Sequence, residues 1–295
     1  MSNNSNLQLT VDGKDRTSIG NIILKIIIYI VCTFLGILSI LPFWIMFVNA
    51  TRSTPQINAS AIAILPSIHL FDNIAILSSK NMFKPLVGFF NSFLVAASAT
   101  GLAVYFSSLT AYAQVVYEWK LKNVFFSFIM AIMMLPAQVT MVGFLQMCYK
   151  LHMTDKLIML ILPAIASPSM VFFMRQYLQP ALPIEIVHSA RIDGAREFYI
   201  FNKIVLPILK PAIATQAIFS FVGSWNNLFT PMVLLSNPKK YTMPMMVSLL
   251  RADIYKTEYG SIYAGLTLTI LPLIAVYLVL SKYIVAGVAL GSVKG

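Results

Sequence analysis

Glu185–Pro211 reads EIVHSARIDGAREFYIFNKIVLPILKP. It is a long polar interruption between two strongly apolar stretches, and it carries helical patterning of its own. Ile192-Asp193-Gly194-Ala195 divides it. Glycine takes positive φ without the steric cost that a Cβ imposes, and an aspartate beside it suits a turn. The pattern therefore predicts a short helix, a turn at Gly194 and a second helix. The second helix is expected to stop at Leu206-Pro207, because an interior proline removes a donor and clashes with the turn before it.

The flanks decide the class. Hydrophobic residues make up 58% of the chain and charged residues 11%, against about 25% charged in a soluble domain. Apolar stretches of about 20 residues recur, each long enough to cross a hydrocarbon core of about 30 Å. They lie near Ile22–Val48, Val87–Tyr112, Val124–Cys148, Leu157–Phe173, Ala212–Leu234 and Ile262–Leu280. The expectation is an all-α integral membrane protein with six transmembrane helices, one membrane domain spanning about 22–284 behind a polar N-terminus at 1–21. The first stretch is too long for a signal-peptide core of about 7–15 residues and reads as a retained helix. Asn49–Leu86, with three prolines and short apolar runs, leaves the choice between loop and interfacial helix open.

Charge and cysteine content exclude other classes. A net charge of +11 is explained by loop lysines and arginines near anionic headgroups, so no nucleic-acid partner is expected, and membrane lipid is. An even number of spans puts both termini on one side, and a small excess of Lys and Arg on that side favours cytoplasmic termini. Cys32 and Cys148 fall inside apolar stretches and give neither a disulfide framework nor a metal site. The interiors of the spans carry no Asp, Glu or His, which ion-coupled transporters place at membrane depth. No nucleophile–base pair or metal cluster suggests an enzyme, and no phosphate-binding G-x-x-x-x-G-K-[ST] loop occurs. Active transport would need its energy from another polypeptide.

Glu185–Pro207 resembles the cytoplasmic coupling loop of ABC-importer permeases, which reads roughly E-A-A-x-x-D-G-A and then F-x-x-I-x-L-P. The matching positions are His188-Ser189-Ala190, Asp193-Gly194-Ala195, Phe201, Ile204, Leu206 and Pro207. His188 stands where Glu is usual and Ser189 where Ala is usual. Further likeness to carbohydrate-importer permeases lies in Asn91-Ser92, Ala111-Tyr112-Ala113, Leu135-Pro136-Ala137-Gln138 and Phe173-Met174-Arg175-Gln176-Tyr177. Trp225-Asn226-Asn227-Leu228-Phe229 with Pro231, and Gly287 through Gly295, look like the smaller permease of maltose-type systems.

The resemblance implies the type I ABC-importer permease fold, with a coupling loop at about 183–207 and a cytoplasmic tail at 285–295. It implies a bacterial plasma-membrane, multi-pass subunit without enzymatic activity. Its partners would be a second permease, two ATP-binding subunits that hold ATP and Mg, and an extracytoplasmic sugar-binding protein. Glu185, His188, Ser189, Ala190, Asp193, Gly194, Ala195, Phe201 and Pro207 would couple to the ATPase, and Ser292 and Lys294 would reach it from the tail. This chain itself would hold no cofactor and no metal.

Several residues carry two readings. Trp225, Asn226 and Asn227 suit a sugar, whose hydroxyls need uncharged partners and whose ring faces stack on aromatics, but equally suit interhelical packing. Gln138 has the same ambiguity, with packing or pathway lining favoured over a dedicated site. Of Ile184, Val187, Ile192, Phe198 and Phe201, some are expected to pack beneath the chain's own helix ends and others to meet a partner. Ala97, Ser98 and Gly101 are expected to allow close helix approach. The rival functions are a non-conducting scaffold subunit and half of a secondary transporter, neither of which needs an ATPase.

Overall fold

The computed structural model describes residues 19–79, 84–250 and 258–292. All regular structure among the described residues is helical. The order begins α1 Ile19–Ala50, α2 Thr54–Ala59, α3 Leu70–Ser79, α4 Pro85–Val116, α5 Lys122–Met133 and α6 Ala137–Lys150. Next come α7 Ile158–Ile161, a 3-10 turn at Leu162–Ile165, α8 Pro168–Ala181 and α9 Ile184–Ile192. Then α10 Glu197–Ile200 passes through a π turn at Phe201–Val205 into α11 Leu206–Trp225. The chain continues with α12 Phe229–Leu234, a 3-10 turn at Pro238–Lys240, α13 Met243–Leu250 and α14 Tyr259–Ser292. Among the described residues, five helical stretches are long and apolar enough to cross a membrane: Ile23–Ala50, Pro85–Val116, Ile158–Ala181, Glu197–Trp225 and Tyr259–Leu278.

Two expectations are corrected. The predicted third span is split at Pro136 into α5 and α6, of 12 and 14 residues. Pro136 is extended, with φ −60° and ψ 130°, and the turn before it tightens as the Met134 and Leu135 N–H groups donate to Ala131 and Ile132. The six-span count stands at five such helices and this broken pair among the described residues. The helix after Gly194 does not stop at Leu206-Pro207. It runs 29 residues from Glu197 to Trp225. The π turn shifts the hydrogen-bond register just before Pro207, which then occupies the first turn of α11. A proline is tolerated there because its missing N–H would be redundant.

α4 is the central element, packed mainly on α11 and α8. Its buried stripe runs Ser92, Ala96, Ala99, Thr100, Ala103 and Ser107, small residues recurring every three to four positions. Such a stripe lets backbones approach closely where lipid gives helices no hydrophobic reason to associate. The stripe lies beside the expected Ala97, Ser98 and Gly101; Gly101 has open space around it. α1 is the opposite case. Its apolar side chains from Ile23 through Trp44 are exposed all round, as a helix solvated by lipid requires.

The two ends of α4 are fixed differently. At its start, Asn91 Nδ2 donates to the Lys239 and Tyr241 carbonyls at 3.0 Å each, and the Met243 N–H donates to Ser92 Oγ at 2.8 Å. Asn91-Ser92 thus pins the link between α12 and α13 onto α4, above a core of Leu77, Leu235, Met243, Met245, Met246 and Ile262. Its other end, Ala103 to Val116, meets Met174, Leu178, Val187, Phe201 and Leu209.

Within Asn49–Leu86 the described residues include α2 and α3, with α3 packed on α14. A buried polar knot holds it. Arg52 donates to the Ser60 and Gln56 carbonyls at 2.7 Å and to Asn49 Oδ1 at 2.9 Å. Asn73 Nδ2 donates to the Ala50 and Arg52 carbonyls at 2.8 and 2.9 Å. Gly260 of α14 presses on this knot so closely that a Cβ would collide with Asn73 and the Arg52 carbonyl. Backbone and a doubly bonded amide cannot yield cheaply. Gly260→Ala is expected to cost about 1–3 kcal/mol through overpacking. Gly36→Ala, with nothing within 4 Å, should not lower stability. Thermal unfolding of both variants in the same detergent checks this.

Candidate functional site

The helix–turn–helix is built by its caps. α9 ends on Asp193, and Gly194 takes φ +79°. The Gly194 N–H donates to Arg191 O at 3.0 Å and the Ala195 N–H to Ala190 O at 2.9 Å. This pair of bonds is a Schellman motif, with glycine at the left-handed position after the cap. The same closure ends α6, where His152 adopts φ 53° and Met153 donates to Cys148.

A charged cluster keys the turn to α4. Arg191 Nε donates to Glu197 Oε1 at 2.7 Å, bridging the two sides of the turn. Tyr112 Oη on α4 donates to Glu197 Oε2 at 2.7 Å. Tyr117 also bonds to Glu197, and the Arg191 guanidinium lies 5.2 Å from its ring centroid. The bond to Glu197 raises the Arg191 pKa, so its charge is permanent. Burial, then the bond to Glu197, pushes the Tyr117 phenol up. Of these four, Tyr112 alone is named from sequence, within Ala111-Tyr112-Ala113, and none of them is given this role there. The available signal was an opposite-charge pair flanking a glycine turn.

Hydrophobic residues divide between core and surface. Val187 and Phe201 are fully buried, Phe201 packing 5.5 Å from Tyr105 and 5.7 Å from Tyr112 between ring centroids. Ile184 is half-buried beside them. Ile192 is 86% and Phe198 68% exposed. Glu185, His188, Ser189 and Asp193 share the exposed surface, with Ala190 and Ala195 half-buried and Pro207 exposed. Phe201 is therefore corrected from a contact residue to an internal anchor. An open groove of about 560 Å³ lies against the turn, lined by Ala190, Asp193, Gly194, Ala195, Arg196, Tyr199 and Ile204.

The second candidate set separates. Trp225 is 1% exposed, donates from Nε1 to Thr269 O at 3.0 Å and packs on Phe89 and Phe221. Its aromatic face is occupied within this chain, which corrects its reading as a sugar-stacking residue. Asn226 and Asn227 are exposed at the break between α11 and α12. Asn227 is tied to Thr230, whose N–H donates to Asn227 Oδ1 at 3.3 Å. The side chains of Gln138 and Ser292, and the whole of Lys294, lie outside the described residues; the backbone of 285–292 continues α14.

At the far end, Asp155 gathers two loops. Its Oδ1 accepts from the Ser236 and Asn237 N–H groups at 3.1 and 3.0 Å, and its Oδ2 from Lys240 Nζ at 2.8 Å. Lys240 first, and the backbone donors with it, hold the Asp155 carboxyl below its usual range.

These features define a polytopic helical membrane protein with a keyed helix–turn–helix at one end and a break after the Glu197–Trp225 helix near the other. Residues 103–290 match the family model described as the binding-protein-dependent transport system inner membrane component. The chain belongs to that family, and is a permease component of an ABC import system. It is 34% identical to the arabinooligosaccharides transport system permease protein AraQ of Bacillus subtilis over 88% of this chain and 92% of that protein. It is 32% identical to the lactose transport system permease protein LacG of Rhizobium radiobacter, over 91% and 96%. It is 31% identical to the sn-glycerol-3-phosphate transport system permease protein UgpE of Yersinia enterocolitica, over 86% and 92%. A solved bacterial ABC transporter involved in import of the acidic polysaccharide alginate shares the fold, with a TM-score of 0.78 at 21% identity, covering 90% of this chain and 98% of that one.

Two outcomes are expected. Gly194 has open space where a Cβ would point, so the cost of Gly194→Leu is conformational, about 1–2 kcal/mol. Amide exchange across α9 should quicken about 5- to 30-fold, and less in Gly194→Asn. The second outcome concerns acid. A carboxyl depressed in the folded state stabilises above its unfolded pKa of about 3.9, and the contribution is lost as pH falls through the lower folded value. The stability gap between wild type and Asp155→Asn should therefore be flat from about pH 8 to pH 5 and close below about pH 4, read by melting temperature in detergent.

Proposed function

We propose that this chain is the smaller-type permease of a bacterial carbohydrate importer. With a second permease it forms the pathway for a sugar or oligosaccharide brought by an extracytoplasmic binding protein. ATP and Mg bind on two separate ATPase subunits, and this chain hydrolyses nothing. Both termini and the Gly194 turn face the cytoplasm. The substrates named for the relatives (arabino-oligosaccharides, lactose, a glycerol phosphate) support a hydroxyl-rich cargo.

The observation that carries the reading is the exposed apolar pair, Ile192 and Phe198, flanking a turn that is rigidly tied to α4. Apolar side chains presented on a solvent-facing turn mark a partner site. Glu185, His188, Ser189 and Asp193 form the polar rim of that contact, and Ser292 and Lys294 approach the ATPase from the tail. Closure of the ATPase dimer pushes on this surface. Val187 and Phe201 pass the push to the core, and Glu197 passes it to Tyr112. The helix from Glu197 to Trp225, 29 residues and so about 44 Å long, carries it to the break at Asn226–Leu228. Asn226 and Asn227, with Gln138, are the residues proposed to line the pathway. A ligand shifts such an equilibrium only by preferring one state, and here that ligand is the ATP-closed dimer.

Ile192→Asp and Phe198→Asp should each insert normally, yet recover at least about ten-fold less ATPase on purification and lose uptake in proportion. Wild-type recovery and uptake in both variants would refute the coupling reading and favour a scaffold or an ATPase-independent transporter.

A further inference from the structure

Arg175 is the one guanidinium in the span Ile158–Ala181. It follows Met174, which is fully buried in the core beside α9. A step of about 100° around the helix turns Arg175 away from that core toward α5. There its guanidinium carbon lies 4.0 Å from the Phe126 ring centroid, and Phe126 stacks on Phe172 at 6.2 Å with an 18° tilt. The two phenylalanines form an apolar floor under the cation. Arg175 Nε is buried without a hydrogen-bond partner, and no carboxylate pairs with the group among the described residues.

A guanidinium offers five donors, and a buried donor left unmet is destabilising. The stacking on Phe126 offsets part of this and supplies no acceptor. The nearby cation, Lys122, opens α5 one turn before Phe126, and its Nζ is already held by Glu118 at 2.6 Å. The positive charge left over in this crevice is therefore that of Arg175.

We propose that Arg175 and the Phe126–Phe172 floor form a headgroup site for an anionic phospholipid in the crevice between α5 and α8. A phosphodiester accepts two parallel N–H bonds from a guanidinium, which matches what Arg175 lacks. The site lies at headgroup depth, because α5 begins there and α8 ends six residues on. Trp119, packed on Phe125, lies at the same end of α5, as interfacial aromatics do. Met130 and Met133, four and seven residues after Phe126 on the same face of α5 and both exposed, continue the surface into the apolar zone where acyl chains lie. That continuity favours a lipid over a free anion. The site rests on the bilayer placement and not on the coupling role of Gly194, so loss of sugar uptake with lipid retention intact would leave it standing.

The test is native mass spectrometry of the full-length protein in detergent, with dioleoylphosphatidylglycerol or dioleoylphosphatidylcholine added. Wild type should retain the anionic lipid about ten-fold better than the zwitterionic one. Arg175→Gln should erase that preference, and Arg175→Lys should keep part of it, since an ammonium binds phosphate as a point charge. Circular dichroism and melting serve as fold controls. Should Arg175→Gln misfold, Phe126→Leu removes the floor and keeps the charge, and it should weaken the preference. An unchanged preference in the folded variant overturns the proposal. Full displacement of the lipid by millimolar inorganic phosphate overturns it too, in favour of a free-anion site.

Discussion

Inside a bilayer a helix has no water to complete its backbone hydrogen bonds, so every proline must be accommodated by the protein itself. This chain contains 15 prolines, and where each is absorbed decides the architecture. Pro42, Pro211 and Pro272 lie within helices that continue through them. Pro207 is accommodated by the π turn at Phe201–Val205. Pro136 is not accommodated, and the helix ends there. The outcome is one continuous rod from the Gly194 turn to Trp225 and one interrupted crossing, α5–α6, whose first half packs on α8. Had the rod stopped at Pro207, the chain after the turn would not run unbroken into the membrane interior.

Among the described residues, the ion pairs lie toward the ends of the molecule. Arg191, Glu197, Tyr112 and Tyr117 fasten one end, and Asp155, Lys240 and Asn91 the other. Between them the helices meet through the small-residue stripe of α4 and neutral bonds such as Thr100 Oγ1 to Ser220 Oγ at 3.3 Å. Neutral interhelical bonds in membranes average about 0.6 kcal/mol, little enough to be exchanged during a conformational change. Ion pairs at the ends are partly solvated, so they hold geometry without the desolvation cost of burial at membrane depth.

Fold class was legible because bilayer thickness writes itself into sequence as runs of about 20 apolar residues. The Gly194 turn was legible for a local reason, the single residue type that occupies φ +79° without strain. What depended on tertiary context was not. A proline's effect is set by what the preceding turn can do, so Pro207 and Pro136 look alike in sequence and differ in the structure. Trp225 beside two asparagines reads equally as a sugar platform or a packing residue until Phe89, Phe221 and the Thr269 carbonyl are placed around it. Glu197 appeared as one more loop charge because its partners, Tyr112 and Tyr117, lie about 80 residues earlier, near the end of α4.

On the proposed coupling role, the aromatic contacts would carry a push at the turn to the membrane interior. Phe201, at the start of the π turn, is wedged against Tyr105 and Tyr112 of α4. At the far end of the same rod, Phe221 meets Phe93 at 6.3 Å and Trp225 meets Phe89 at 5.5 Å, again on α4. Two long helices joined by rings at both ends cannot slide past one another without breaking several edge-to-face contacts, worth about 0.5–1.5 kcal/mol each. α4 and the Glu197–Trp225 rod therefore move as one body. α1 buries nothing in Ile23–Ala50's most apolar window and resists little. Regular structure lapses at Asn226–Leu228, which is also where the exposed amides stand.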